Sequence, residues 1–298
     1  MSSGDAGGAP DVTAIVIGHD VRDEVLSCIG TLLRHAGRVS LQVVYVDNGS
    51  RDGSADAVQA AFPEAEVVRL PANIGMPARN EGLRRARGRH RMFLDSDATV
   101  TPGALETLVG LLDERPEVGL GGPRLVYPDG RLQLSARRYP PVMLPVLRRP
   151  PLGRFFADGR TVRRHLMADD PPTRRRRVEY VLGACQVFRA EAQAAAGEVD
   201  ERIFYGPEDA DWCLAVRGAG YDVVYVPDAT VVHDYRRSTA ARNVSRLALR
   251  HLRAHAYFLW KWRRHRQRLI AEGREMDAEA ALAETAPAGA PALAREAT

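Results

Sequence analysis

The chain has 298 residues, 45% of them hydrophobic, enough to bury a sizeable core in one large α/β domain or two fused halves. Its 42 lysines and arginines against 38 acids leave a net charge of +4, which allows attraction to nucleotides, phospholipids or nucleic acid without choosing among them. Cys28, Cys185 and Cys213 lack the pairing of a disulfide framework and the spacing of a zinc site.

The first ten residues lack the pattern of a signal peptide, and no stretch reaches the ~18 apolar residues of a membrane span. The expectation is a cytoplasmic protein, soluble in its body and able to lie peripherally on the inner face of the cell membrane.

In chain order, residues 1–10 are small and read as disordered. VTAIVI (12–17) reads as a buried strand, and Val21, Val25, Ile29 and Leu32 form the apolar stripe of a helix. LQVVYV (41–46) is a second strand ending at the polar turn DNGS. A helix over 55–61, a strand over 66–70 and a helix from Pro77 to Ala86 follow. HRMFLD (90–95) is a further strand, after which Thr101 and Pro102 suit the cap and first turn of a helix carrying Leu105, Leu108 and Leu112.

This alternation predicts an α/β fold with a Rossmann-like, mostly parallel central sheet flanked by helices. Ligands of such sheets bind beyond the carboxyl ends of the strands, where Asp47 and Asp95 both fall.

The second half is less regular. A turn at Pro128-Asp129-Gly130 separates short extended pieces, and 140–178 reads as a long loop or a pair of short helices ending in Arg174–Arg177. VEYVLGACQVFRA (178–190) returns to strand character, Pro207 opens a helix through Gly218, and YDVVYV (221–226) is a strand followed by a turn before His233. From Val244 to Ile270 a helix carries eight lysines and arginines beside Tyr257, Phe258, Leu259, Trp260 and Trp262; an Ala/Pro-rich tail follows. The expected organisation is a disordered 1–10, a nucleotide-binding half over 11–120, and an acceptor-binding and catalytic half of the same domain over 121–240. A basic amphipathic extension over 241–273 and a disordered 274–298 complete it.

Several acidic loops bear on chemistry, each with a plainer alternative. Asp95-Ser96-Asp97 at a strand end offers oxygen ligands to Mg2+ or Mn2+, or is a solvated loop with a helix cap. Asp47 can accept a ring N–H from a uracil or thymine base, or satisfy its own turn. Arg79 and Asn80, at a helix start, suit phosphate and base edges as well as capping. Glu208-Asp209 can take a proton from an acceptor hydroxyl or favour a helix dipole. His233 offers an imidazole to the same cation, or is structural.

The ordered series VDNGSRDGS, NIGMPARNEGL, FLDSDA, GGPRLVYPDG, VLGACQVFR, VDERIFYGPEDADWC and YVPDATVVH resembles family-two GT-A inverting glycosyltransferases, especially the bacterial rhamnosyltransferase-like subgroup, from Val12 to Ser238. The resemblance implies a GT-A fold with a C-terminal helical extension, a role in polysaccharide or cell-wall biogenesis, and a nucleotide-sugar donor bound with Mg2+ or Mn2+. It assigns Asp47 to the donor base, Arg79 and Asn80 to donor binding, and Gly183 and Ala184 to the strand lining the donor sugar. Asp97 and His233 become metal ligands, with Asp95 at the ribose or an outer-shell water; Asp209 becomes the general base, and Glu208 orients acceptor or loop.

One departure is Gly18-His19-Asp20, where relatives commonly carry an asparagine- and tyrosine-containing loop near the base. The implied donor is dTDP-rhamnose, with UDP-linked galactose, glucose or N-acetylglucosamine as alternatives. The implied acceptor is a glycan or a polyprenyl-diphosphate-linked saccharide, and no nucleic acid partner is expected. The arginine- and aromatic-rich helix over 246–268 can engage an anionic membrane surface, or pack Tyr257, Leu259 and Trp260 on the catalytic domain or on a second copy of the chain. A catalytically inactive nucleotide-sugar-binding protein and a nucleotidyltransferase are the competing readings. The latter lacks a G-x-x-x-x-G-K-[ST] loop here.

Overall fold

The computed structural model describes residues 8–140, 159–168, 173–234 and 246–271, with side chains of the last helix described over 249–265. The expectations for residues 1–7, for most of the 141–172 segment, for 241–245 and for the 274–298 tail lie outside the described residues. Pro10, inside the segment expected to be disordered, accepts a hydrogen bond from Arg89 N at 3.1 Å.

Strands β1 (Val12–Gly18), β2 (Leu41–Asp47), β3 (Glu66–Arg69) and β4 (His90–Asp95) form the parallel block β3-β2-β1-β4. β1 and β2 are apolar on both pleat faces because helices cover both sides, so their sequences run as continuous Val/Ile/Ala rather than alternating. Helices α1 (Arg22–Arg34), α2 (Ser54–Ala61) and α4 (Ala104–Glu114) share one core with Ala14, Val16, Val43 and Tyr45. On α1 the buried residues are Val25, Cys28, Ile29 and Leu32, an i, i+3, i+4, i+7 stripe in which Cys28 stands in place of the expected Val21, a half-buried residue at the N-cap.

The opposite face packs Ile15, Val44, Val46 and Phe93 against α3 (Arg79–Arg85), α6 (Ala190–Ala196), α7 (Glu208–Gly218) and α8 (Arg246–Ala271). Phe93, Phe188 and Trp212 form its aromatic centre, with ring centroids 4.7–5.6 Å apart. A short α5 (Arg160–His165) lies in the irregular segment.

The second half of the sheet is mixed rather than parallel. Its strands are β5 (Ala98–Val100), β6 (Val118–Val126), β7 (Leu132–Gln133), β9 (Arg176–Arg177), β11 (Cys185–Arg189) and β12 (Asp222–His233). The full order is β3-β2-β1-β4-β11-β6-β12-β5, with β7 added to β6 and β9 to β12. β11 runs antiparallel to both β4 and β6, while β12 is parallel to β6. A separate ribbon pairs β8 (Ala136–Arg137) with β10 (Tyr180–Val181). The boundary at residue 120 falls inside β6, so one sheet runs through both halves.

Three local readings are corrected. Thr101 does not cap the helix after β4. That helix starts at Ala104 behind a left-handed Gly103, and Thr101 Oγ1 instead donates to Thr230 O at 2.7 Å. The segment 178–190 is broken into β10 and β11, because residues 182–184 turn away between them. β12 continues to His233 through an irregularity between Val226 and Thr230 where a turn is predicted. Three extra residues in a still-paired strand read locally as a loop.

The sheet must curl to accommodate β5. Three peptide steps from Asp95 to Ala98 reach at most ~11 Å, whereas four strand spacings across a flat sheet, from β4 to β5, are about 19 Å. The far edge therefore folds back over the end of β4, and His35 Nδ1 lies 2.7 Å from Val100 O to hold it against α1.

Candidate active site

The turn Asp95-Ser96-Asp97 is the short link across this fold-back, between central β4 and edge β5. The antiparallel register sets His233 opposite Ala98, and Asp234 N donates to Asp97 O at 3.1 Å. One ligand atom from each of Asp95, Asp97 and His233 lies within 4.8 Å of the others.

His233 Nε2 is 3.3 Å from Asp97 Oδ1, and its Nδ1 is 2.7 Å from Gln133 Oε1 on β7. With Nδ1–H donated to Gln133, Nε2 is the atom presented to the acidic turn. Burial alone would depress the imidazolium, but the hydrogen bond to Asp97 and the charges of Asp95 and Asp97 outweigh it and raise its pKa. Two carboxylates and an imidazole form an O,O,N donor set that fits a divalent cation such as Mn2+.

Asp95 is fixed from the other side by Arg79, at the start of α3. The guanidinium, only 2% exposed, donates from Nη2 to Asp95 Oδ1 at 2.8 Å and to Gly183 O at 3.0 Å, and it stacks 4.7 Å from the Phe93 ring centroid. Asp95 N also donates to Ala184 O at 2.9 Å. Burial raises the Asp95 pKa, and the Arg79 cation opposes it.

Gly183 joins this cluster to the second acidic pair. A Cβ placed there would stand 3.4 Å from both Arg79 Nη1 and Asp209 Cβ, so the bare backbone separates the two side chains. Glu208 and Asp209 are half-buried at the start of α7. Desolvation pushes Glu208 up to about 8, with the Asp209 charge adding to it, while Glu208 Oε2 accepts Gly206 N–H at 2.6 Å. Desolvation lifts Asp209 only to about 6, because the Arg137 cation and a hydrogen bond from Ala210 N pull it down. The two carboxyls are thus pushed apart, Glu208 holding a proton at neutral pH and Asp209 free to accept one.

Asp47 lies at the end of the neighbouring strand β2. Registers Gly18↔Asp47 and Ile17↔Asp95 place the two carboxylates beyond the same end of β1, two strand spacings or about 10 Å apart. Asp47 is buried, with Tyr45 Oη and Ser50 N each 3.4 Å from Oδ1. Asn48 bridges to Asn73, Ile74 and Gly75, and Met76 N donates to Phe204 O at 2.9 Å, tying this end to the loop before α7.

Asn80 stands apart from the group. It is buried, with Nδ2 on Val199 O and Oδ1 accepting Val199 N–H, both at 2.9 Å. Its amide braces the segment after α6. Two of the clustered arginines are likewise occupied, Arg175 by Asp228 and Arg177 by Asp222.

Gln133, Arg137 and Tyr45 are absent from the sequence-based set. Gln133 and Arg137 belong to two-residue strands with no periodic signal, and Tyr45 reads simply as strand core.

The sequence matches the family model described as Glycosyl transferase family 2 over residues 13–181. It is 29% identical over 223 residues to the N-acetylglucosaminyl-diphospho-decaprenol L-rhamnosyltransferase of Mycobacterium tuberculosis, covering 71% of this chain and 72% of that protein. Among solved structures, GalNAc-T7 with UDP, GalNAc and Mn2+ superposes with a TM-score of 0.66 at 16% identity, over 91% of this chain. The match spans only 52% of GalNAc-T7, about half its length. The mannosyltransferase PcManGT from Pyrobaculum calidifontis, in complex with GDP-Man and Mn2+, gives a TM-score of 0.53 at 18% identity over 91% of this chain and 77% of that one. These two likenesses establish the curled, helix-flanked sheet as a GT-A fold.

Proposed function

The chain belongs to glycosyl transferase family 2, and from that footing we propose that it is a metal-dependent inverting glycosyltransferase. It moves a sugar from a nucleotide-sugar donor to a hydroxyl of a glycan or lipid-linked glycan. The observation that carries the reading is the continuous unit Asp97–His233, Asp95–Arg79, Gly183 and Asp209, which couples a cation-competent group to a carboxylate poised as a base.

Asp97 and His233, with Asp95, would hold the cation. When bound, a divalent cation supplies positive charge that offsets the departing nucleoside diphosphate. Asp47 meets the nucleoside base, and Gly183 and Ala184 line the donor sugar. Arg79 is a positioning residue, since its guanidinium is buried on Asp95, Gly183 and Phe93. Asp209 accepts the acceptor hydroxyl proton as that oxygen bonds to the anomeric carbon. The bond to the diphosphate oxygen breaks on the opposite face, so one displacement inverts configuration.

The relative's name, an L-rhamnosyltransferase acting on diphospho-decaprenol-linked N-acetylglucosamine, supports rhamnose as the first sugar, proposed here as its dTDP conjugate, and a polyprenyl-diphosphate-linked saccharide as the first acceptor.

Calorimetric titration with dTDP, UDP and GDP, in Mn2+ and then in EDTA, tests the donor site. One nucleotide should bind with clear preference, and chelation should abolish most of that binding. Asp209→Asn should keep that binding and lose at least ~100-fold in transfer. Folded protein that binds none of the three, or an Asp209→Asn enzyme with undiminished transfer, sinks the reading.

A further inference from the structure

Helix α8 has a fixed inner face and an open outer one. Inward, Phe258 and Ala254 are buried. Lys261 Nζ bridges Asp200 at 2.7 Å and Asp211 at 2.9 Å, and Trp262 Nε1 donates to Asp211 Oδ1 at 2.6 Å. Tyr257 Oη also donates to Asp200 at 2.9 Å. These anchors fix the rotation of the helix against α7.

At 100° per residue, Leu249, Leu252, Ala256 and Trp260 then fall on one outward stripe. Leu249 is 51%, Leu252 43% and Trp260 58% exposed, while Arg253, Arg263 and Arg264 are exposed along its margins. Arg263 lies over the Trp260 ring, 5.7 Å from its centroid. The helix has eight lysines and arginines and no acid in 26 residues. Among the described residues no helix is long and apolar enough to cross a membrane.

We propose that the outer face of α8 docks on an anionic phospholipid bilayer, lying in the interface plane with Leu249, Leu252 and Trp260 in the headgroup boundary and the arginines among the lipid phosphates. The charge argument selects this occupant. A stripe of exposed leucine and tryptophan bordered by arginines, on a helix free of acids, matches an apolar layer topped by anions. A second copy docked face to face would instead bring like charges together.

The placement also has a consequence for the acceptor, which rests on the proposed transfer reaction. Gly206, two residues before Glu208, has φ 134°, and a Cβ there would come within 2.5 Å of the His251 ring. One end of α8 therefore abuts the loop that leads into the helix bearing Asp209. A bilayer held by this face would bring a lipid-linked sugar close to the loop that leads into the proposed base.

The test is co-sedimentation of the full chain with vesicles of phosphatidylcholine alone and with one quarter phosphatidylglycerol, alongside nucleotide calorimetry on the same samples. Binding should require the anionic lipid and weaken with salt. Neutralising Arg253, Arg263 and Arg264 to Gln should lower partitioning about fivefold for each charge, or about a hundredfold together. Leu249→Glu/Trp260→Glu should lower it at least ~10-fold, with nucleotide affinity unchanged in both variants.

Vesicle binding that is absent, or equal in the variants, overturns the proposal. So does a concentration-dependent dimer abolished by Leu249→Glu/Trp260→Glu, which assigns the face to a second copy. Nucleotide binding without lipid binding removes only the membrane role; lipid binding without nucleotide binding removes only the donor reading.

Discussion

Asp209 owes its basicity to two opposed effects, and both can be moved by experiment. Desolvation lifts its pKa to about 6, and the nearby Arg137 cation holds it from rising further. In its proposed role as base Asp209 works only when deprotonated, so kcat/KM should climb as pH rises through about 6. Arg137→Gln removes the cation that favours the carboxylate, so the climb should move to higher pH, leaving activity several-fold lower at pH 6 but restored toward wild type on the alkaline plateau. An unmoved profile would show that Arg137 does not set this charge. Gln133 acts on the other half of the site through His233, whose Nδ1 lies 2.7 Å from Gln133 Oε1. Outer partners of this kind hold the ligand tautomer, so Gln133→Ala should weaken Mn2+ binding by about 10-fold or more with the fold intact. Titration of Mn2+ against nucleotide-saturated enzyme measures it, and unchanged affinity would separate Gln133 from the cation.

Elements differ in how they bring these residues together, and Asn80 shows how one side chain can lock two of them. It sits in α3, yet both ends of its amide pair with Val199 just beyond α6. Asn80→Ala leaves a buried N–H and a buried C=O of Val199 unpaired, which should cost about 2–3 kcal/mol of unfolding free energy. Chemical denaturation reads that loss, and a change under ~0.5 kcal/mol would mean that water replaces the amide. From sequence, Asn80 reads as a donor contact through the family resemblance, with helix capping as the plainer alternative, and nothing local announces a partner 119 positions away. The strands were legible where burial on both faces writes a continuous apolar run, as in β1, β2 and β4. They were not where pairing lasts two or three residues, as in β5, β7 and β8, because no period can be read over so short a span. Of the candidate site, the carboxylates and His233 stood out at the ends of strands and helices, and the family resemblance grouped them. Gln133 and Arg137 were not, because they reach the site through those short strands.

Whole-molecule cohesion comes from strands that trade places between the two sequence halves. β5, from the first half, closes the far edge beside β12, and β11, from the second, separates β4 from β6. The Asp95–Asp97 turn depends on that exchange, since Asp97 and His233 meet only because β5 lies against β12. A chain divided at residue 120 would also split β6 after its third residue. The first fragment would expose a free edge of β4 and leave β5 unpaired, and the second would lack the strand on which β11 is laid. Neither fragment alone should fold cooperatively, and the intact chain should unfold in one transition whether followed by tryptophan emission or by far-UV dichroism. If residues 8–120 gave a sharp unfolding transition and bound nucleotide alone, the parallel block would be an autonomous donor-binding domain. Failure of both fragments, with nucleotide binding regained on mixing them, would locate the donor site in the exchanged sheet itself, because the cation-competent group spans Asp95, Asp97 and His233 and so exists only when both halves are present.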